Sequence, residues 1–470
     1  MDFVGECGYR FRRKFDKQMP LCIITIITLA YHNITMEDTD ILIIGAGAAG
    51  LMAARTLAKA GKKVAVLEAR DRVGGRIHTL ENASGQQPLE LGAEFIHGDL
   101  PLTKSLLDEA GIAYNHAGAS MWRYEDGEFK ENETFVEHWD DFLDELDDLE
   151  QDMSINCFLL REFKGEKYRR LRESVRQYVS GYDNADPKKA SAFSLRREWQ
   201  SEDMGAQYRV AGGYGKLTGF LADEITAAGG HIYLNSAVKK IFWQQKQVKV
   251  ITSVGCTHTA KQLIVALPLG VLQVNAGDSE AISFNPEIPD HAKAINALGF
   301  GAVIKILLEF DEAFWGDKQT EKLAGKSLSN MGYLFSTEEI PTWWTQVPQH
   351  TNILTGWIGG PEAAEKANTP DTEILNQGLQ SLAVIFNRDE QQLKQKLLNW
   401  HVVNWTADEF TRGSYAYDTV EADQARSVLS EPVENTIFLA GEYLYNGTAM
   451  GTVEAALDSG LRAAERIMSL

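Results

Sequence analysis

The run from Ile41 to Arg70, ILIIGAGAAGLMAARTLAKAGKKVAVLEAR, constrains the fold of this chain more than any other segment. A short apolar stretch leads into a glycine turn, then a pattern of helical period, then a second apolar stretch. That succession predicts a β-α-β unit. Gly45, Gly47 and Gly50 form GxGxxG between the first strand and the helix, with Ala48 and Ala49 among them. Residues this small let backbone N–H groups approach a pyrophosphate at the positive end of the helix. Glu68 closes the second strand 18 residues after Gly50, followed by Ala69. A carboxylate there is placed to accept hydrogen bonds from an adenosine ribose. A lone glycine motif is weak evidence, but strand, motif, helix and acid in this order point to a bound dinucleotide.

A chain of 470 residues exceeds one ordinary core, so two domains are expected. With 44% hydrophobic and 24% charged residues it has the balance of a globular protein. The net charge of −20 argues against nucleic acid as a partner, which needs a basic footprint. A cationic substrate suits the charge better, although acidity also serves solubility. Cys7, Cys22, Cys157 and Cys256 form no CxxC pair, so neither a zinc site nor a disulfide framework is expected.

Residues 1–35 differ from the rest. A basic stretch with Arg10, Arg12, Arg13, Lys14 and Lys17 precedes the apolar run LCIITIITLAY. The order resembles an export signal, with RRKFDK loosely like a twin-arginine pattern, but Asp16 stands where an apolar residue is usual and no small-x-small cleavage site follows. The run is too short to span a bilayer. An upstream extension before Met36 and a cytoplasmic protein are the expectation, with twin-arginine export as the alternative.

Farther along, Phe135, Trp139, Phe142, Leu146, Leu149 and Met153 recur at helical spacing, predicting an acidic amphipathic helix over 131–153. A solvated face accounts for its acids, so no site is assigned there. Strands are predicted within 230–273 and over 300–310, helices over 371–399, and a closing strand and helix from Thr436 to Met468. No linker marks a boundary, so interleaved domains are expected: a cofactor domain from 36–98, 207–290 and 400–470, and a substrate domain from 99–206 and 291–399.

Beyond Glu68 the chain continues through Arg70, Arg72, Gly74, Gly75 and Arg76. A second glycine pair can bring backbone close to a cofactor, and flanking guanidinium groups can neutralise its phosphates. VLEARDRVGGR resembles the flavin-containing amine oxidase family, which includes monoamine oxidases, polyamine oxidases and flavin-dependent histone demethylases. The resemblance recurs in ELGAEFIHG (Glu90–Gly98), VAGGYGKL (Val210–Leu217), ALPLGVL (Ala266–Leu272), WTADEFTRGSY (Trp405–Tyr415) and FLAGEYLYNGTAMGTVEAALDSGLRAA (Phe438–Ala464). It implies an α/β and α+β chain, in which a Rossmann-like FAD domain is interleaved with a mixed-sheet and helical substrate domain. Gly92, Ala93 and Glu94 resemble the loop passing the flavin ring, Val238 the residue meeting adenine, and Trp405 and Glu442 further cofactor contacts. Thr452 and Val453 open the last helix, whose N-terminal dipole can stabilise negative charge on reduced flavin. Where monoamine oxidases carry a flavin-bound cysteine this chain has Ser414, so FAD is expected to be non-covalent.

The resemblance also implies chemistry. Lys305, in FGAVIKILLEF, resembles the family lysine that holds a water beside flavin N5, though a strand-edge lysine reaching solvent needs no function. Tyr415 resembles the aromatic wall that receives the amine nitrogen. Thr448 stands where many relatives place a second aromatic, His97 matches a substrate contact of polyamine oxidases, and Glu94 offers an anionic partner for a distal ammonium. The expected reaction is oxidation of a small-molecule amine, a polyamine as the first choice, with oxygen as acceptor and hydrogen peroxide as product. An L-amino-acid oxidase is disfavoured because a substrate carboxylate would meet the negative charge of Glu94. A flavin desaturase and a catalytically silent flavin-binding module remain as alternatives, and no room for an added helical arm makes chromatin work unexpected.

Overall fold

The computed structural model describes residues 39–82, 87–118, 120–131, 137–201, 207–275, 277–447 and 449–470. The export-like segment 1–35 and Thr448 lie outside them.

The apolar run before the glycine turn forms the strand Thr39–Ile44, whose last four residues are buried. It pairs in parallel with Val64–Leu67 on one side and Thr257–Val265 on the other. Burial on both faces is what a continuous apolar run in a parallel sheet requires. The full order is 231–233, 64–67, 39–44, 257–265, 247–252, 238–244 and 283–285, with Ile437–Leu439 added beside Thr257–Val265. Helices Ala48–Lys59, Gly215–Ala227 and Val453–Met468 cover one face through Leu51, Leu57, Leu217, Leu221 and Leu457.

A second sheet runs in the order 397–404, 303–310, 353–359, 342–344, 331–335, 120–125 and 128–131. Strand alternation divides Val303–Phe310 between two surroundings. Ile304, Ile306 and Leu308 join the core shared with Leu375, Leu379 and Leu382 of the helix Asp371–Ile385, while Leu307 packs with Leu89 and Leu91. Lys305 shares that second face and so points toward the loop after Leu89. The last helical stretch ends earlier than its pattern predicts, because Leu397–Asn404 pairs antiparallel with Val303–Phe310 and carries this sheet past residue 400.

Between the sheets, Phe95–His97 and Tyr114–His116 flank Gln207–Val210 in a small antiparallel sheet. A helical layer packs around Phe142, Leu146, Phe158, Leu159, Val175 and Val179. Of the helix predicted over 131–153, the described residues form Trp139–Asp147, and Phe135 lies outside them. His138 before it has φ 68°, outside helical backbone, and Ser154 after it begins a new helix by accepting a hydrogen bond from Cys157 N at 3.3 Å. Leu149 still reaches the core from the intervening turn.

The glycine turn explains the position of the first helix. A Cβ on Gly50 would lie 1.9 Å from Gly45 O, and one on Gly45, at φ +101°, 2.4 Å from Ala266 O. Gly50→Ala is therefore predicted to displace the helix start, costing about 1–3 kcal/mol and abolishing cofactor retention. Gly219→Ala, with open space around its Cβ, should be neutral or stabilising by about 0.5–1 kcal/mol. Thermal melting and the protein-bound yellow absorbance check both, and equal behaviour of the two variants would contradict the close-approach argument.

Candidate active site

A continuous cavity of about 1990 Å³ runs from the glycine turn to the face of the second sheet. Ordinary small-molecule pockets hold about 300–1,000 Å³, so this space suits a dinucleotide together with a substrate. Gly45, Gly47, Ala48, Ala49, Glu68, Ala69, Arg70, Gly74, Gly75, Arg76, Gly92, Ala93, Glu94, Val238, Trp405, Glu442, Thr452 and Val453 all line it. Gly50 does not, since its part is the helix contact described above.

The dinucleotide end fits the implied group. The nearest atom to a Cβ on Gly47 would be Gly74 O at 4.0 Å, so a side chain there would occupy cavity rather than protein. Gly47 is also the N-cap of the helix Ala48–Lys59 and makes no side-chain cap bond, leaving the first-turn N–H groups for an anion. Glu68 is buried, its carboxylate oxygens accepting from Ala46 N at 2.8 Å and Arg70 N at 2.9 Å. Val238 lies nearby, linked through Ser236, whose N–H donates to Glu68 O at 2.7 Å.

The arginines differ from their expected role. Arg70 pairs with Asp408, donating from Nη1 at 3.0 Å, and also reaches Thr411 Oγ1 at 2.9 Å. Arg72 donates to the carbonyls of Val73, Gly75 and Ile77, and is not in the cavity wall. Arg76 bonds Glu442 Oε1 at 2.9 Å, and Glu442 also accepts from Ala416 N. Arg70 and Arg76 thus tie the glycine pair to the 405–416 and 438–442 segments while still lining the cavity, whereas Arg72 holds its own loop and does not line it. At the last helix, Thr452 Oγ1 caps Ala455 N at 3.2 Å, while Glu454 turns away to accept from Leu102 N and Thr103 N of a neighbouring helix.

Lys305 is 1% exposed and is not surrounded by apolar groups alone. Its Nζ donates to Glu94 Oε2 at 2.6 Å and Gly92 O at 3.1 Å. Glu94 Oε1 accepts from Trp344 Nε1 at 3.1 Å and from Arg209, and Arg209 in turn donates to Thr345 O at 2.9 Å and Gln346 Oε1 at 2.8 Å. Burial opposes ionisation of Glu94, but Lys305 and Arg209 outweigh it and hold its carboxyl below the usual range. The loop is fixed from below: a Cβ on Gly92 would lie 1.8 Å from Arg76 O, and Trp405 Nε1 donates to Leu91 O at 2.9 Å.

Two expectations about Glu94 change accordingly. Its oxygens are engaged by protein cations, so a distal substrate ammonium meets a carboxylate already neutralised. Lys305, Arg209 and Glu94 together sum to one positive charge, beside Glu90, whose carboxyl burial pushes up to about 7, so Glu94 alone makes no electrostatic case against a substrate carboxylate.

Tyr415 lines the same cavity and donates its hydroxyl to Tyr182 O; burial raises its phenol well above the usual range. His97 lies beside Phe95 and Tyr182, with ring centroids at 5.6 and 5.9 Å. Burial pushes its imidazole down to about 4, and Nδ1 has no hydrogen-bond partner among the described residues. Further rings complete the wall: Phe95, Tyr333 and Trp344 lie 5.8–6.1 Å from one another, and Trp357 is 5.8 Å from Trp344. Tyr333, Trp344, Trp357 and Arg209 were not singled out from the sequence. Tyr333, Trp344 and Trp357 stand on three consecutive antiparallel strands for which no expectation was drawn, and Arg209 comes from the small sheet.

Comparison with known proteins agrees with this geometry. Lysine-specific histone demethylase 2 of Homo sapiens is 30% identical over 93% of this chain and 54% of its own length. Polyamine oxidase 4 of Oryza sativa subsp. japonica is 28% identical over 91% of this chain and 88% of its own. The chain spans about half the length of the demethylases it matches. Putrescine oxidase bound to putrescine superposes with a TM-score of 0.75 at 22% identity, covering 92% of this chain and 99% of that one, a likeness of fold. Residues 48–468 match the family described as flavin containing amine oxidoreductase. The chain belongs to that family, and FAD is its cofactor.

Proposed function

We propose that this protein oxidises a small-molecule amine, a polyamine or related primary or secondary amine, to an imine that water then hydrolyses. The observation that carries the reading is the continuity of one cavity from the FAD cradle to an aromatic-walled chamber lined by Tyr415 and by the buried Lys305. When bound, FAD supplies the acceptor for a hydride from the carbon next to nitrogen. For a secondary amine the full balance is one amine, one water and one oxygen giving one aldehyde, one shortened primary amine and one hydrogen peroxide.

The residues of the chain account for binding and proton handling. The faces of Tyr415, Trp344 and Tyr333 receive apolar methylene groups and exclude water, and a ring face can also hold the substrate nitrogen. Hydride loss needs that nitrogen as a neutral lone pair, and the net positive charge of the Lys305–Glu94–Arg209 group opposes an ammonium beside it. His97, uncharged at neutral pH, offers Nδ1 to a substrate N–H without adding charge. Lys305 has three N–H donors, of which Glu94 and Gly92 take two, leaving one for a water on the cavity side. Glu338 and Glu362 also line the cavity and support a second cationic nitrogen in the substrate. The polyamine oxidase relative and the putrescine oxidase likeness favour the same substrate class.

Anaerobic addition of polyamines should bleach the flavin, with monoamines and simple L-amino acids, which lack a second cationic nitrogen for Glu338 and Glu362, less effective. Bleaching by L-amino acids alone would replace this reading with the amino-acid oxidase one, and bleaching by none of them would end it. Lys305→Met should slow reoxidation of the reduced protein in air by about 10²-fold, the low end for a lost proton-handling group; an unchanged rate would reject that role. Because Ser414 provides no thiolate, acid precipitation should release all the yellow colour into the supernatant, and colour retained in the pellet would show a covalent flavin.

His97 gives a pH prediction. From about 6.5 unfolded to about 4 folded, its ring binds fewer protons in the folded chain. Its contribution to stability is therefore present above pH about 6.5 and lost as pH falls toward about 4. His97→Asn should show a shallower fall in Tm across that window than the wild type, whereas parallel curves would contradict a buried neutral ring.

A further inference from the structure

The buried cluster of Lys305, Glu94 and Arg209 contains a carboxylate that the proposed reaction does not use. Glu94 is 7% exposed and has protein partners on both oxygens: Lys305 on one, Trp344 and Arg209 on the other. Arg209 is buried as well. Its guanidinium lies 4.3 Å from the centroid of the Phe95 ring, its strand position is opposite Phe95, and its remaining bonds go to Thr345 and Gln346. Lys305 and Arg209 are thus both paired with Glu94; Lys305, Gly92, Ala93 and Glu94 line the FAD cavity, with Arg209 behind them. Glu90, whose carboxyl burial pushes up to about 7, is a further carboxylate that interacts with Lys305 and Glu94.

Two properties follow from that arrangement. Glu94 determines where the Lys305 ammonium points, since it and Gly92 O fix two of the three donors and leave the third a single direction. It also lowers the fixed charge at the site by one unit. Charges in a poorly solvated cavity act on a bound redox group with little screening. Positive charge favours the reduced flavin, which is the more negative form, and a carboxylate opposes it.

We propose that Glu94 is a positioning residue of the flavin site, directing Lys305 and, by offsetting one of the two buried cations, setting the reduction potential of the bound FAD. The inference rests on FAD occupying this cavity and not on the identity of the amine.

The test is the midpoint potential of the FAD-loaded protein, measured by equilibration with a redox dye with no amine present, for wild type, Glu94→Gln, Arg209→Gln and the double variant. Relative to wild type the three variants change the local charge by +1, −1 and 0 in that order. The potential should rise in Glu94→Gln, fall in Arg209→Gln and return near the wild-type value in the double variant. Glu94→Asp keeps the charge and withdraws the carboxylate by one methylene, so its potential should stay near wild type while air reoxidation slows. Should Glu94→Gln fail to retain FAD, the fall in Arg209→Gln and its reversal in the double variant carry the test. Single-variant potentials equal to wild type would overturn the proposal. Loss of FAD from all the variants would do so too, by making the cluster a folding element only. Failure of the amine reading would instead appear as an FAD-loaded protein with these potentials that no amine bleaches.

Discussion

The two halves of the molecule meet at one carboxylate. Glu94 follows a loop whose Gly92 rests on the Arg76 carbonyl, so it is tied to the FAD cradle; its partners Lys305 and Arg209 stand on the second sheet and on the small sheet between. A buried ammonium or guanidinium costs several kcal/mol unless it is paired and hydrogen-bonded. Each cation here therefore constrains where the loop can sit, and the loop constrains both. The glycine at 92 is what permits the approach, since any larger residue would meet backbone.

The same economy of position recurs at the cradle. Arg70, Arg72 and Arg76 look from the sequence like ligands for phosphate, but Arg70 and Arg76 bond Asp408 and Glu442, bringing together segments more than three hundred residues apart, and Arg72 holds backbone carbonyls of its own loop. The uncapped start of the first helix offers backbone N–H groups that can bind an anion without a charged side chain. With the guanidinium groups holding the frame, the cavity is free to be shaped by rings.

The cofactor half was legible because its signals are local. GxGxxG, the helix behind it and Glu68 lie within thirty residues, and each follows from a backbone requirement that a single segment satisfies. Lys305 and Tyr415 were also found, through the resemblance of their segments, and the cavity contains both. The cluster around Glu94 was not legible, because Arg209 pairs opposite Phe95 from more than a hundred residues away, and Trp344 meets it through a hairpin whose second strand pairs with the distant strand of Lys305. Seen alone, Glu94 looked like a free anion for a substrate. The helix predicted over 131–153 overran for a related reason: Leu149 and Met153 keep the helical spacing, yet the backbone turns at Asp148 and starts again at Ser154.

The central claim is that this cavity removes hydride from the carbon beside an amine nitrogen. The most direct measurement is the rate of anaerobic flavin bleaching by a polyamine carrying deuterium at that carbon, against the unlabelled compound. The account predicts that bleaching is slowed several-fold by the label, because the broken bond is the labelled one. Bleaching at the same rate for both, with chemistry shown by rapid mixing to limit the step, would contradict it.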